Sequence, residues 1–281
     1  MFKVRKIKLF YFIKDYNFGD ILNVWLLKEL FDVDVEHTEI EDCRYLCIGS
    51  LLHNLPKKKL TFRQKLRKLL KPAIKVWGTG FIIEAPKGHK ALSRRLKIYA
   101  VRGKVTQARL KKYKGVRFKS KVLGDPGLLV NKLLDQSKIK KKYKLGIIPH
   151  YVDKGDPLLD TIRVENSVII DIQQDPKIVL RQIAECENIL SSAMHGLIVS
   201  DALGIPNARL VISGKLFGGD YKFHDYYSAF GLETPPAVIL QPDNQISDIS
   251  FIKQNYKIDQ QQVEEIRKKL IKVFPAKRGL L

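Results

Sequence analysis

Short runs of apolar, β-branched or aromatic residues recur along the chain between amphipathic stretches. The first half carries "IKLFYFI" from residue 7, "YLCIGS" from 45, "IKVWGTG" from 74, "KIYAVRG" around Ile98 and "KVLGDPG" from 121. After a polar, strongly basic stretch at 131–144 the pattern restarts with "LGIIPHY" from 145, "SVIIDI" from 167, "NILSS" from 188 and "ARLVIS" from 208. Runs this short predict strands, and the helical periodicity between them predicts crossovers, so the fold class is α/β with parallel sheets. Helices are expected over 20–31 behind an Asp20 cap, and over 104–113, 176–186 and 193–203. The segment "DQQQVEEIRKKLIKVF" places Val263, Ile266, Leu270 and Phe274 at helical spacing and is expected to pack one face on the body.

With no internal repeat or low-complexity linker, the restart near residue 140 predicts two Rossmann-like doubly wound lobes. They are an N-terminal lobe over 1–138 and a C-terminal lobe over 139–260, followed by a helical segment over 261–281.

The distinctive tripeptides fall where apolar runs stop: Gly49-Ser50, Gly78-Thr79-Gly80, Arg102-Gly103, Gly124-Asp125-Pro126, Pro149-His150 and Ser191-Ser192. Carboxyl ends of parallel strands lie along one edge, where such folds bind ligands, although Gly, Pro and Asp also make ordinary turns. "NFGD" at 17–20 lies between the first strand and the first helix, so Asp20 either caps that helix or meets a polar ligand.

With Ser192 as N-cap, His195 would be the third residue of its helix, where free N–H groups and the dipole disfavour imidazolium. A neutral imidazole there suits proton transfer, and a packed structural histidine is the alternative. No nucleophile elbow accompanies Ser192, which argues against a Ser192–His195 nucleophilic pair. "FGGDYKFHDYY" at 217–227 reads equally as a sugar or phosphate platform around Lys222 and as an aromatic loop packed on the core.

Charge adds a further constraint. Lys and Arg number 51 against 29 Asp and Glu, a formal charge of +22, so an anionic partner is expected. "TFRQKLRKLLK" at 61–71 sets Phe62, Leu66, Leu69 and Leu70 on one helical face among cations. Such a helix lies on an anionic membrane or packs its leucines on the body. The apolar run Leu9–Ile13 is too short for a signal segment or a span, so any membrane contact is expected to be peripheral. Cys43, Cys47 and Cys186 form no CxxC pair, which fits a reduced, cytoplasmic setting. The six histidines are dispersed without HxH or HExxH spacing, and no metal is expected.

Taken in order, "NFGD", "GTGF" at 78, "VRG" at 101, "LGDPGLL" at 123, "IIPHYVD" at 147 and "SSAMHGLIVSDALGIPN" at 191 resemble the polysaccharide pyruvyl transferases. The resemblance implies a GT-B-like pair of lobes, and transfer of the enolpyruvyl carbons of phosphoenolpyruvate to two hydroxyls of a sugar, giving a pyruvate ketal. The acceptor so implied is a galactose-type sugar of a growing polysaccharide or lipid-linked glycan, with phosphoenolpyruvate as donor substrate and no cofactor.

On this reading His195 transfers the proton or contacts phosphate, while Arg102 and Lys222 meet the donor's negative groups. His150 supports them across the crevice, Ser192 is a further substrate-binding residue, and Asn17, Asp20 and Asp125 serve the acceptor side or order loops. Many family members carry Arg two residues before the motif histidine; here that position is Ala193. The rival readings are a GT-B glycosyltransferase using a nucleotide sugar and a non-catalytic scaffold of glycan assembly. No RNP-like pattern, zinc finger or basic zipper supports specific nucleic-acid binding.

Overall fold

The computed structural model describes residues 5–276. Within them the strands are β1 (Arg5–Leu9), β2 (Val33–His37), β3 (Tyr45–Leu46), β4 (Pro56–Lys57), β5 (Ile74–Trp77), β6 (Ala91–Leu92), β7 (Leu96–Val101) and β8 (Val116–Leu123) in the first half. The second half holds β9 (Leu145–Ile148), β10 (Ser167–Ile169), β11 (Ile189–Ser191), β12 (Asn207–Val211) and β13 (Val238–Ile239). The helices are α1 (Phe18–Phe31), α2 (Phe62–Leu70), α3 (Lys104–Lys111), α4 (Pro176–Ala184), α5 (Met194–Ala202), α6 (Tyr221–Ser228), α7 (Ser250–Asn255) and α8 (Gln260–Lys272).

Two parallel sheets result, with orders β2-β1-β3-β5-β7-β8 and β10-β9-β11-β12-β13; β4 and β6 form a small antiparallel pair beside the first. In each sheet the first strand lies between the second and the third, so the connections leave it in opposite directions. That reversal opens a crevice at the carboxyl ends of β1 and β3 in one sheet, and of β9 and β11 in the other.

The sheets are joined by burial. One apolar core runs from Ile7, Leu9 and Leu22 through Leu128 and Leu129 to Val179, Leu197, Ile198 and Tyr226, and smaller cores cover the outer faces. Helix α5 is its centre: every residue except His195 is buried, and its two buried polar side chains are satisfied, Ser200 by the Gly196 carbonyl and Asp201 by Asn207 and Tyr226. In α8, Val263, Ile266 and Leu270 are buried, and Phe274 just beyond stacks on Phe31 at 3.9 Å while Trp77 Nε1 donates to the Leu270 carbonyl at 3.0 Å. The chain thus returns from the second sheet to seal the first. The expected helical segment 261–281 extends past this point, and its residues 277–281 lie outside the described residues.

Two helix starts differ from the pattern-based expectation. Helix α1 begins at Phe18 because Asn17, not Asp20, caps it: Asn17 Oδ1 accepts from the Gly19 N–H at 3.3 Å. Helix α5 begins at Met194 with Ala193 as N-cap, so His195 is its second residue. Ser191 ties the entry instead, its Oγ accepting from the Ala193 N–H at 3.1 Å. Strand β2 is an edge strand whose alternating acids hide it from an apolar-run search.

Candidate active site

The two crevices share one cavity of about 330 Å³, with Asn17, Asp20 and Ser50 on the first-sheet side and His150, His195 and Lys222 on the other. The Asn17 cap turns Asp20 into the first turn of α1, facing the cavity. Burial raises its carboxyl to about 7; a hydrogen bond from the Phe12 backbone opposes this and the charge of Asp15 adds to it. Asp20 therefore exchanges a proton near neutrality.

His195 stands opposite, part-buried. Its Nδ1 lies against Gly19, so closely that any Cβ on residue 19 would collide with the ring, and its Nε2 is buried without a hydrogen-bond partner. Burial, followed by the charges of Arg102, Lys222 and His150, lowers it to about 3. The ring is neutral throughout the physiological range, with hydrogen-bonding capacity that no group among the described residues uses.

His150 caps the turn after β9. Its Nδ1 accepts from the Val152 N–H at 3.4 Å, which leaves the proton of the neutral ring on Nε2. Burial and then Lys222 lower it to about 4, against a smaller opposing effect of Asp153. Ser192 fixes this turn: its Oγ accepts from the His150 N–H at 2.7 Å and donates to Asp153 at 3.1 Å. Ser192 itself faces an adjoining cavity of about 330 Å³, shared with Asp153, Arg209 and Ser213.

Lys222 is the buried cation of the main cavity, which Lys215, exposed and 3.8 Å from Asp156, also lines. It is 6% exposed, and among the described residues it makes no hydrogen bond or ion pair. Burial and then the charges of Arg102 and Arg209 bring it down to about 8. An anion entering the cavity would raise it again and hold the ammonium charged.

Arg102 lies behind the cavity wall, not in it, which corrects the expectation of direct donor contact. Fully buried, it donates from Nε to Asp225 at 3.0 Å and from a terminal nitrogen to Ser50 Oγ at 2.8 Å, and approaches Met194 Sδ at 3.8 Å. Asp225 also accepts from the Thr106 N–H and hydroxyl at 2.8 and 2.7 Å. This buried pair joins α6 of the second half to β7 and α3 of the first. Gly80 lies against both charged groups, where a side chain would displace them.

Asp125 is also away from the cavity. Its Oδ1 accepts from the Gly127 N–H at 2.9 Å, ordering a turn that abuts Ile198 beside the His195 ring, and burial raises it to about 7. The "FGGDYKFHDYY" stretch divides between the two readings. Tyr226 and Tyr227 are core residues, with Tyr226 donating to Asp201 at 2.7 Å, whereas Phe217 and Lys222 line the cavity.

The sequence motifs gave no role to Asp15, Ser50, Asp153 or Asp225. Ser50 follows a strand-end glycine, and Asp153 and Asp225 lie inside quoted motifs, so position was available as a signal; their partners, far along the chain, were not. Among the described residues no cluster of three His, Cys, Asp or Glu side chains has metal-binding proximity. The three cysteines are free and buried.

The cavity thus presents one buried cation, a carboxyl that titrates near neutrality and two neutral imidazoles, a set suited to a small anionic ligand and a proton transfer.

The chain is 32% identical over 239 residues to an uncharacterized protein, L143, of Acanthamoeba polyphaga mimivirus, covering 82% of this chain and 76% of that one. It is 25% identical over 229 residues to the succinoglycan biosynthesis protein ExoV of Rhizobium meliloti (strain 1021), covering 78% of this chain and 63% of that protein's length. The polysaccharide pyruvyl transferase family profile matches residues 17–213, from the cap of α1 to just past β12 and so across both walls of the cavity. The chain belongs to the polysaccharide pyruvyl transferase family.

Proposed function

We propose that the protein transfers the enolpyruvyl group of phosphoenolpyruvate to two hydroxyls of a galactose-type sugar on a growing polysaccharide or lipid-linked glycan, at the cytoplasmic face of a membrane. The observation that carries this reading is the meeting of Asp20, His195 and the unpaired Lys222 in one cavity between the sheets. In this reading the lobes divide near residue 138 and close on the cleft in a GT-B-like manner.

The chemistry needs an acid, a counter-charge and a base. A proton adds to the methylene carbon of the donor, and the central carbon becomes oxocarbenium-like. The first sugar hydroxyl then bonds to that carbon and loses its proton. Next the carbon–oxygen bond to phosphate breaks, and the second hydroxyl bonds in its place and loses its proton. One hydroxyl proton replaces the one added to the methyl group and the other leaves with inorganic phosphate.

Asp20 is assigned the first proton, because its carboxyl is protonated in an appreciable fraction near pH 7. His195 enters neutral and accepts a hydroxyl proton or a hydrogen bond from the acceptor. Lys222 offsets the phosphate and carboxylate charges, taking the part that the family arginine would have had at Ala193. Asn17 and His150 flank the acceptor side.

Mass spectrometry of galactose-terminated lipid-linked acceptors incubated with protein and phosphoenolpyruvate tests the proposal. The expected product carries the mass of one pyruvate ketal, forms with stoichiometric phosphate, and is lost in His195→Ala. Product that requires a nucleotide sugar and not phosphoenolpyruvate would replace this reading with glycosyl transfer.

A further inference from the structure

Helix α2 is attached to the body the wrong way round. Its residues Phe62, Leu66, Leu69 and Leu70 form one apolar stripe, yet they are 80, 46, 68 and 69% exposed, and none of its nine residues is buried. The half-covered residues are Gln64 and Lys68, with Lys71 just after the helix. Lys68 Nζ reaches the Lys114 carbonyl at 3.5 Å, and Arg95 donates to the Leu69 and Lys71 carbonyls at 3.0 and 3.1 Å. An ordinary surface helix turns its apolar stripe inward; here the polar side rests on the protein and the leucines look out.

The helix holds its shape without burying that stripe. Thr61 and Gln64 form a reciprocal capping box at 3.2 and 2.9 Å. Charge accompanies the stripe: residues 57–71 contain Lys57, Lys58, Lys59, Arg63, Lys65, Arg67, Lys68 and Lys71, and no acidic residue; Lys68 and Lys71 are held on the body, Lys71 in an ion pair with Asp42, while Arg63, Lys65 and Arg67 are exposed. A second copy of the same face would set these cations against one another, whereas an anionic bilayer satisfies both features, taking the apolar side chains between its acyl chains and the cations at its headgroups.

We infer that α2 is an interfacial helix that docks this protein on a lipid bilayer surface bearing anionic headgroups. Among the described residues no helix is long and apolar enough to cross a membrane, so the contact is made along the surface. Its supports, Arg95 and Lys114, precede β7 and β8, which puts α2 at the amino ends of the strands. The cavity opens at their carboxyl ends, so docking leaves it clear, and the inference does not depend on the transfer chemistry.

Co-sedimentation with vesicles of pure phosphatidylcholine and of equimolar phosphatidylcholine and phosphatidylglycerol tests it. The full chain is expected to partition at least about tenfold more strongly to the anionic vesicles. Leu69→Gln/Leu70→Gln and Arg63→Gln/Lys65→Gln/Arg67→Gln are each expected to lower that partition by about tenfold or more. Phe62→Trp, which alters one exposed residue, is expected to shift its emission to the blue on anionic vesicles, and His195→Ala to bind them as the parent does.

Equal partition to both vesicle types, no partition, or leucine variants that bind like the parent would overturn the inference. So would an unshifted Phe62→Trp emission. A concentration-dependent dimer dissolved by Leu69→Gln/Leu70→Gln would make the stripe a self-interface, and loss of oligonucleotide binding with vesicle binding intact would assign the cations to nucleic acid; either result overturns the inference.

Discussion

Gly19 and His195 meet across the cleft: the first turn of α1 runs so close to the imidazole that the space a side chain would need is already filled by Nδ1. The glycine of "NFGD" and the histidine of "SSAMHG", far apart in the chain, are two halves of one contact. Gly19→Ala must move the ring or the helix, at a stability cost of about 1–3 kcal/mol. Displacement of the ring is expected to lower phosphate release by about 100-fold. A thermal melt and a phosphate assay separate the two effects.

Asp20 titrates near pH 7 because it is buried, and in the proposed mechanism only its protonated form delivers the first proton. Wild-type kcat/KM is therefore expected to fall as pH rises through about 7. Asp20→Asn removes the proton while keeping the shape, so a loss of about 10²–10⁴-fold is expected together with the disappearance of that limb. A pH–rate profile of both proteins checks it.

Lys222 is charged below about 8 and loses its proton above that, because burial and neighbouring positive groups disfavour the ammonium. Donor affinity is expected to weaken as pH rises through that range. Lys222→Gln should raise the KM for phosphoenolpyruvate by about 10- to 100-fold, the worth of a charge-assisted hydrogen bond. Titration calorimetry with the donor at several pH values measures this.

Asp225→Asn leaves the Arg102 guanidinium fully buried without its counter-charge, a change expected to destabilise by about 3–5 kcal/mol. Arg102 acts through Ser50 and Asp225, so Arg102→Lys is expected to lower the urea midpoint while leaving the donor KM near the parent value. A KM rise without loss of stability would return Arg102 to the cavity.

Asp125 has its carboxyl raised from 3.8 to about 7 by burial. The native state then holds a proton that the unfolded chain has released, so the stabilising contribution is complete below about 4 and lost as pH rises through 7. Asp125→Asn removes this linkage. The stability difference between pH 5 and 8 is expected to shrink by on the order of 1–3 kcal/mol, measured by urea unfolding at both values.

Legibility in the chain followed the range of the interaction. The strands at 74–77, 145–148 and 207–211 were visible as apolar runs, because burial on both faces of a parallel sheet demands them. Strand β2 was not, since an edge needs burial on one side only and its acids face out. Helix ends were legible to within a few residues: whether Asn17 or Asp20 caps α1 depends on a rotamer, not on composition.

The candidate site divides the same way. Asn17, Asp20, His150 and His195 follow strands or open helices, Lys222 lies in the aromatic-rich stretch 217–227, and the fold sets all five on one cavity. Arg102 and Asp125 carried the same marks and lie behind it. Their displacement is a matter of partners: a guanidinium facing Asp225 across the junction is neutralised where it stands, and nothing near residue 102 in the chain announces a carboxylate 123 residues later.

By itself the sequence determined the alternation of strand and helix, the excess of positive charge and the motifs that end the strands, all of which are local or additive properties. Only the tertiary structure decided which charges are paired, which carboxyl is buried enough to hold a proton at neutral pH, and which side of α2 faces out. Desolvation and ion pairing depend on what surrounds a group in space, and that environment exists only once distant segments have packed together.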